Sequence, residues 1–208
     1  MNRKHNGMCE QQKEGAEVEA LSVFCRLLLA LIFISSCVST LRQWHAHIGI
    51  IKDYDLLPEA LVKWFAVLEH SVKWLVGMLL FWGSYSSSAA ITGSGLLLIY
   101  SIAIMINLLR GTREISCGCG GIVGNHSLSW TLVLRNLLLM AMCLWVNQVE
   151  SQYGSLILVI KGEDVGSIFG KEYWVILGSA LLSALLYSIF QHLIAVHKRI
   201  RELLGRMP

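Results

Sequence analysis

Residues 89–109 read AAITGSGLLLIYSIAIMINLL, a stretch without a single charge. That length matches the hydrocarbon core of a bilayer, which takes about 20 residues of α-helix to cross. Four further stretches have the same character: 21–40, broken by Arg26; 64–83, with Glu69, His70 and Lys73; 128–146, with Arg135 and Asn136; and 173–196, with Gln191 and His192. Lipid offers no water to an open backbone, so spans of this kind are helices. The fold class expected is all-α, a polytopic membrane bundle of five spans.

Composition agrees. Of 208 residues, 55% are hydrophobic and 15% charged, against about 25% charged in a soluble chain. The mean hydropathy is +0.58. Such figures exclude an intrinsically disordered protein. A net charge of +3 is no footprint for nucleic acid; membrane lipid is the expected surrounding. The chain divides into a polar N-terminal tail (1–20), a four-span unit (21–147), a loop (148–172), the fifth span (173–196) and a basic tail (197–208). The apolar hexamer 155–160 is too short to span and belongs to an interface or a loop. Ile34-Ser35-Ser36-Cys37 looks like a lipoprotein cleavage site, but Glu10, Glu14, Glu17 and Glu19 precede it. A signal peptide has a basic n-region, so the first span is expected to be retained.

Of six cysteines, Cys117 and Cys119 stand together in Ser116-Cys117-Gly118-Cys119-Gly120-Gly121, directly after the third span. Glycines permit the sharp turn that a one-residue spacing needs to bring two thiols together. A ring that tight strains its disulfide, and strained disulfides are the more oxidising and labile. Arg110, Arg113 and His126 flank the pair, and positive neighbours favour the reactive thiolate. Redox exchange is the chemistry this favours. Two idle cysteines in a Gly-rich turn, or a soft metal held by Cys117, Cys119 and His126, stay open beside it; the metal case lacks a fourth ligand, and no metal site is assigned. Cys25 and Cys37 share one helix about 18 Å apart and cannot pair with each other; Cys37 lies toward the membrane face of the Cys117 loop.

Ionisable groups inside spans mark function or pairing. Glu69 and Lys73 are spaced i, i+4 and can pair on their own helix; the sharper alternative sets Glu69 against Arg135 of the fourth span. Arg26 is either a third member of that cluster or a snorkelling end residue. His70 and His192 are expected to be interfacial or hydrogen-bonded. Trp64, Trp74, Trp82, Trp130, Trp145 and Trp174 lie toward span ends, as an aromatic belt requires.

Several of these motifs together resemble a known family. Asn107-Leu108-Leu109-Arg110-Gly111, Cys117-Gly118-Cys119-Gly120-Gly121, Ser129-Trp130 and Arg135-Asn136-Leu137 are similar to the methylamine-utilisation protein MauE family. Arg26, Tyr54-Asp55-Leu56-Leu57-Pro58 and Leu68-Glu69 agree with it. The resemblance covers residues 22–147 and implies a four-helix core of DoxX type, with a fifth, C-terminal transmembrane helix in longer members. It implies a role in maturing the small (β) subunit of methylamine dehydrogenase, an exported, disulfide-rich client, beside a membrane-anchored thioredoxin-like partner. Cys117 and Cys119 would then be the catalytic pair, supported by Arg110, Glu69, Arg135 and Asn136. Two positions depart: Gly120 stands where the family usually has Phe, and Thr40 where it usually has Lys.

The expected activity is thus thiol-disulfide exchange in the cytoplasmic membrane. No cofactor is evident; a quinone would be the natural terminal acceptor, though no residue singles out a site for one. The alternatives are a non-enzymatic assembly factor for another disulfide-containing exported client and a metal-handling protein. Orientation pulls two ways. Nine basic residues (Arg42, Lys52, Lys63, Arg110, Arg113, Lys198, Arg199, Arg201, Arg206) flank the spans on the side of the Cys117 loop and five on the other (Arg3, Lys4, Lys13, Lys161, Lys171), which favours a cytoplasmic loop. Restricting the count to the first four spans and the N-terminal tail leaves five (Arg42, Lys52, Lys63, Arg110, Arg113) against three (Arg3, Lys4, Lys13), and an oxidising pair for an exported client belongs in the oxidising compartment. The loop is therefore expected to be extracytoplasmic.

Overall fold

A computed structural model describes residues 2–111, 128–149, 151 and 153–204, with side chains from Glu14 onward except Ala195, Lys198, Arg199 and 201–204. In chain order the elements are α1 (Asn2–Arg42), α2 (Trp44–Asp53), α3 (Glu59–Phe81), α4 (Ser86–Leu109), α5 (Trp130–Gln148), α6 (Leu156–Ile160), α7 (Val165–Ile168) and α8 (Lys171–Leu204). The described residues form no strand. Among the described residues five helices are long and apolar enough to cross a membrane, within Glu14–Arg42, Glu59–Phe81, Ser86–Leu109, Trp130–Gln148 and Val165–Ile194. The protein is an all-α, multi-pass membrane bundle.

Helices α1, α3, α4 and α5 close a four-membered ring in which each touches its two neighbours, and α8 packs on α1 from outside. The ring's centre holds Leu29, Ala30 and Phe33 of α1, Val76 and Leu80 of α3, Ala89, Ala90 and Leu97 of α4, and Cys143 and Val146 of α5. On α4 the buried positions Ala90, Ser94, Leu97, Ser101, Ile104 and Leu108 follow helical spacing. Their small members let backbones approach, which in lipid replaces the hydrophobic drive to associate. Ser94 and Ser101 satisfy their hydroxyls on their own helix, at the carbonyls of Ile91 and Leu97. Leu181, Leu182, Leu185, Ile189 and Leu193 of α8 are exposed, a face for lipid.

Two segments outside the expected spans are helical. Residues 1–20, read as a tail, continue from Asn2 as one helix with the first span; Glu, Gln, Lys and Ala dominate there and proline is absent, which suits a helix. Residues 41–63, read as a loop, contain α2, separated from α1 by a turn at Gln43 and packed on α3. The hexamer 155–160 forms the one-turn helix α6 in the connection between α5 and α8.

That connection is held by Arg26. Expected either beside Glu69 or snorkelling, Arg26 instead lies partway along α1, away from Glu69, 2% exposed, and donates to the Tyr153 carbonyl at 2.8 Å. Ser22 donates to the Val149 carbonyl and the Leu156 N–H to the Trp82 carbonyl. The guanidinium fits because two glycines leave room: a Cβ on Gly83 would come within 2.8 Å of it, and one on Gly154 within 2.9 Å while also striking the Tyr173 ring. Both have positive φ, +61° and +67°, open to glycine at little cost.

Gly154→Ala should therefore lower the melting temperature of the detergent-solubilised protein, since the left-handed backbone alone costs a non-glycine residue about 1–3 kcal/mol. Gly178→Ala, at a helical position with nothing within 4 Å, should leave it unchanged or raised. Equal melting temperatures for the two variants would remove Arg26 as the lock on this connection.

Candidate functional site

Arg26 apart, the buried charge among the described residues is gathered at one carboxylate. Glu69 of α3 is 5% exposed and Lys73, one turn on, 3%; Lys73 Nζ lies 2.6 Å from Glu69 Oε1. His47 Nε2 of α2 stands 3.0 Å from Oε2, and the Tyr100 hydroxyl of α4 donates to Oε1. Of the two pairings open to Glu69, the i, i+4 one with Lys73 forms rather than the one with Arg135: among the described residues the ion pairs of Glu69 are with Lys73 and His47. A buried pair is tolerable only when further hydrogen bonds satisfy its remaining lone pairs. His47 and Tyr100 do this, and in doing so tie α2 and α4 to α3.

His47 and Tyr100 are the members sequence reasoning missed. A histidine between spans reads as interfacial, and a tyrosine in an uncharged span reads as packing. The available signal was Glu69 itself, which needs more partners than one lysine provides.

Arg135 and Asn136 approach the same cluster from α5. Asn136 is 1% exposed, and its Oδ1 accepts from Arg135 at 3.5 Å. Both line a small cavity of about 40 Å³ whose wall includes Ser36, Lys73 and Tyr100. Those three residues are also wall residues of a larger cavity, about 230 Å³, lined by His47, Ile50, Ile51, Tyr54, Phe65, Glu69, Ala103 and Ile104 among others. The expected supporting residues Glu69, Arg135 and Asn136 therefore meet around Lys73 and Tyr100.

Arg110 has a different task. Its NH1 donates to the Asp55 carbonyl at 3.3 Å, and Asn107 Nδ2 donates to the Tyr54 carbonyl at 3.3 Å and to that of Ala103 at 3.1 Å. Gly111 then turns the chain off α4 with φ +83°. The Asn-x-x-Arg-Gly motif is thus a clamp: the end of α4 grips the Tyr54–Pro58 connection, where Asp55 also has positive φ, +48°. Cys117, Cys119 and His126 lie outside the described residues. The segment that carries them leaves α4 at this clamp and returns at Leu128, which packs with Ile104, Leu108 and Leu132. The membrane face of α2 and the larger cavity is therefore also the face where that segment begins and ends.

Cys25, Cys37 and Cys143 are free thiols. Cys143 is fully buried in the ring's centre, and Cys37, 1% exposed, has its Sγ 3.9 Å from the His70 carbonyl. Both are packing residues. Among the described residues no three His, Cys, Asp or Glu side chains gather as metal ligands would.

Glu69→Ala should cost about 3–5 kcal/mol, because it strands the Lys73 ammonium in the bundle. Glu69→Leu combined with Lys73→Met should melt well above the Glu69→Ala variant, the non-additivity of a coupled pair. Additive losses would show that the two charges do not depend on each other.

Residues 18–147 match the family model described as methylamine utilisation protein MauE. The methylamine utilization protein MauE of Paracoccus denitrificans is 34% identical over 119 residues, 57% of this chain and 64% of that protein; the match thus spans just under two thirds of that relative's length. The MauE protein of Methylorubrum extorquens is 33% identical over 173 residues, 79% of this chain and 88% of that one. That of Methylophilus methylotrophus is 30% identical over 168 residues, 80% and 82% of the two chains. No solved structure matches. The matched region holds α3, α4, the clamp, the Cys-Gly-Cys segment and all but the last residue of α5, and on that ground the chain belongs to the MauE family.

Proposed function

We propose that this protein is a membrane accessory factor of methylamine utilisation that makes or exchanges disulfides in an exported client, through Cys117 and Cys119. The client is the methylamine dehydrogenase small subunit, and the partner is a membrane-anchored thioredoxin-like protein. One observation supports this above the rest. The Asn107 and Arg110 clamp fixes the end of α4 on the α2–α3 connection, so the Cys-Gly-Cys segment starts from a rigid edge at the membrane surface. A segment rooted at such an edge suits a partner that is itself tethered to the membrane.

The cycle is a balanced exchange. A partner thiolate attacks one sulfur of the Cys117–Cys119 disulfide and forms a mixed disulfide; the partner's second thiolate displaces the remaining bond. The partner leaves oxidised, and Cys117 and Cys119 are left as two thiols that have gained two electrons. Oxidation chemistry for an exported client belongs outside the cytosol, so the segment faces the extracytoplasmic side of the cytoplasmic membrane.

In a methylotrophic host lacking its own copy, Cys117→Ser or Cys119→Ser should abolish accumulation of the oxidised small subunit, read by alkylation and mass spectrometry. Full maturation by both variants would reject redox exchange and leave a factor that holds the client without chemistry. Membrane-impermeant maleimide applied to intact, reduced cells should modify the pair. Modification only in broken cells would place the segment inside and reverse the electron flow.

A further inference from the structure

The larger cavity follows a definite course through the bundle. Helices α3 and α4 lie close where Gly93 faces Val76: a Cβ on that glycine would come within 3.2 Å of the valine side chain. Toward the face of α2 the cavity opens as a wedge between Phe65 of α3 and Ile104 of α4, with Ile50 and Ile51 of α2 across it. Two of its wall residues are also exposed, Leu56 at 38% and Ile99 at 51%, and they mark where it reaches the surface. Leu56 belongs to the connection between α2 and α3. Ile99 lies about 15 Å of helix before α4 ends at Leu109. The opening therefore runs from the membrane surface through half of a hydrocarbon core about 30 Å thick. A lipid tail of that leaflet takes the same course.

The walls select an apolar occupant. The surface that the cavity presents is almost wholly hydrocarbon, although His47, Glu69, Lys73 and Tyr100 are among its wall residues. Those four are engaged with one another: Glu69 Oε1 accepts from Lys73 and Tyr100, and Oε2 faces His47 Nε2. The other ring nitrogen of His47 is buried in protein. A polar ligand would lose its hydration here and find little to bond. Water fares no better, since it needs about two to four polar partners. Left empty, the space forfeits the dispersion contacts of its walls. A helix from another chain, about 10–12 Å across, is too wide for the wedge. A dry cavity of about 150 Å³ takes a benzene ring; in proportion, about 230 Å³ takes roughly nine carbons of a chain.

We propose that this cavity binds one acyl chain of a bilayer phospholipid, with the headgroup at the surface beside Leu56 and the tail running between α3 and α4 toward Ile99. Groove and tail share one direction, one starting level and one polarity. The site does not depend on the thiol chemistry proposed above. It does touch the clamp: Tyr54, whose carbonyl Asn107 holds, is a wall of the same cavity, so the connection between α2 and α3 rests on lipid as well as on protein.

The test uses the full chain in nanodiscs of a phosphatidylcholine whose acyl chain carries a photoreactive diazirine, with crosslinks mapped by mass spectrometry. Ile50, Ile51, Phe65 and Ile104 should be labelled, as well as the lipid-facing Leu182, Leu185 and Leu193 of α8. With the diazirine beside the ester, cavity labels should centre on Tyr54 and Leu57. Moved about nine carbons along the chain, it should shift them to Tyr100 and Ala103. Ala103→Trp, which fills the cavity from α4, should lower cavity labelling at least tenfold and leave the α8 labels unchanged. Ile51→Trp, which fills it from α2, should do the same. Cavity walls that stay unlabelled in the parent, labels that ignore the diazirine's position, or cavity labelling that persists in both folded variants would overturn the proposal. So would loss of the cavity labels, with the α8 labels intact, on adding one equivalent of palmitate or ubiquinone-1, because the site would then belong to a free ligand.

Discussion

A carboxylate inside a membrane bundle cannot stand alone, and much of this architecture follows from that constraint on Glu69. Its lysine partner lies on the same helix, a turn away, so neutralising the charge requires no tertiary contact. The oxygens still demand donors, and these come from two other elements: His47 from α2 and Tyr100 from α4. The short helix α2, with His47 as its buried residue, owes its place on α3 to that demand. In lipid, where apolar packing gives little net drive to associate, a polar contact of this kind specifies which helices meet and at what depth.

The two membrane faces fix their connections by the same means, with donors from different helices. On the face of α2, side-chain amide and guanidinium groups of α4 grip backbone carbonyls of Tyr54 and Asp55. On the other, Arg26 reaches the Tyr153 carbonyl through space left by Gly83 and Gly154. Both are cation or amide donors to main-chain oxygens in irregular segments, the groups that a helix would otherwise have satisfied. Between them the described part of the ring is apolar apart from the Glu69 cluster, its neighbours and a few serines bonded to their own helices.

The spans were legible in the sequence because hydropathy over about 20 residues is a signal that depends on no partner. The Glu69–Lys73 pair was legible for the same reason: i, i+4 spacing is local. What failed was everything set by contact between distant segments. Residues 44–53 carry two histidines, a lysine and an aspartate, so α2 lacks the length and apolarity of a span and shows its helical nature only against α3. Arg26 was assigned by type, as an arginine near a span end, when its position is decided by glycines more than fifty residues away. Asn107 and Arg110 were recognised as a motif, and their spacing carries no hint that they bind carbonyls of the first connection.

The side-by-side placement of Glu69 and Lys73 has an electrical consequence. A single charge crossing the membrane field gains or loses about 2.3 kcal/mol per 100 mV. Here opposite charges are 2.6 Å apart in a hydrocarbon layer about 30 Å thick, so the pair feels the field only as a short dipole. Even aligned with the membrane normal it would couple by about 0.2 kcal/mol per 100 mV. The Glu69–Lys73 pair by itself therefore responds only weakly to whether the membrane is energised.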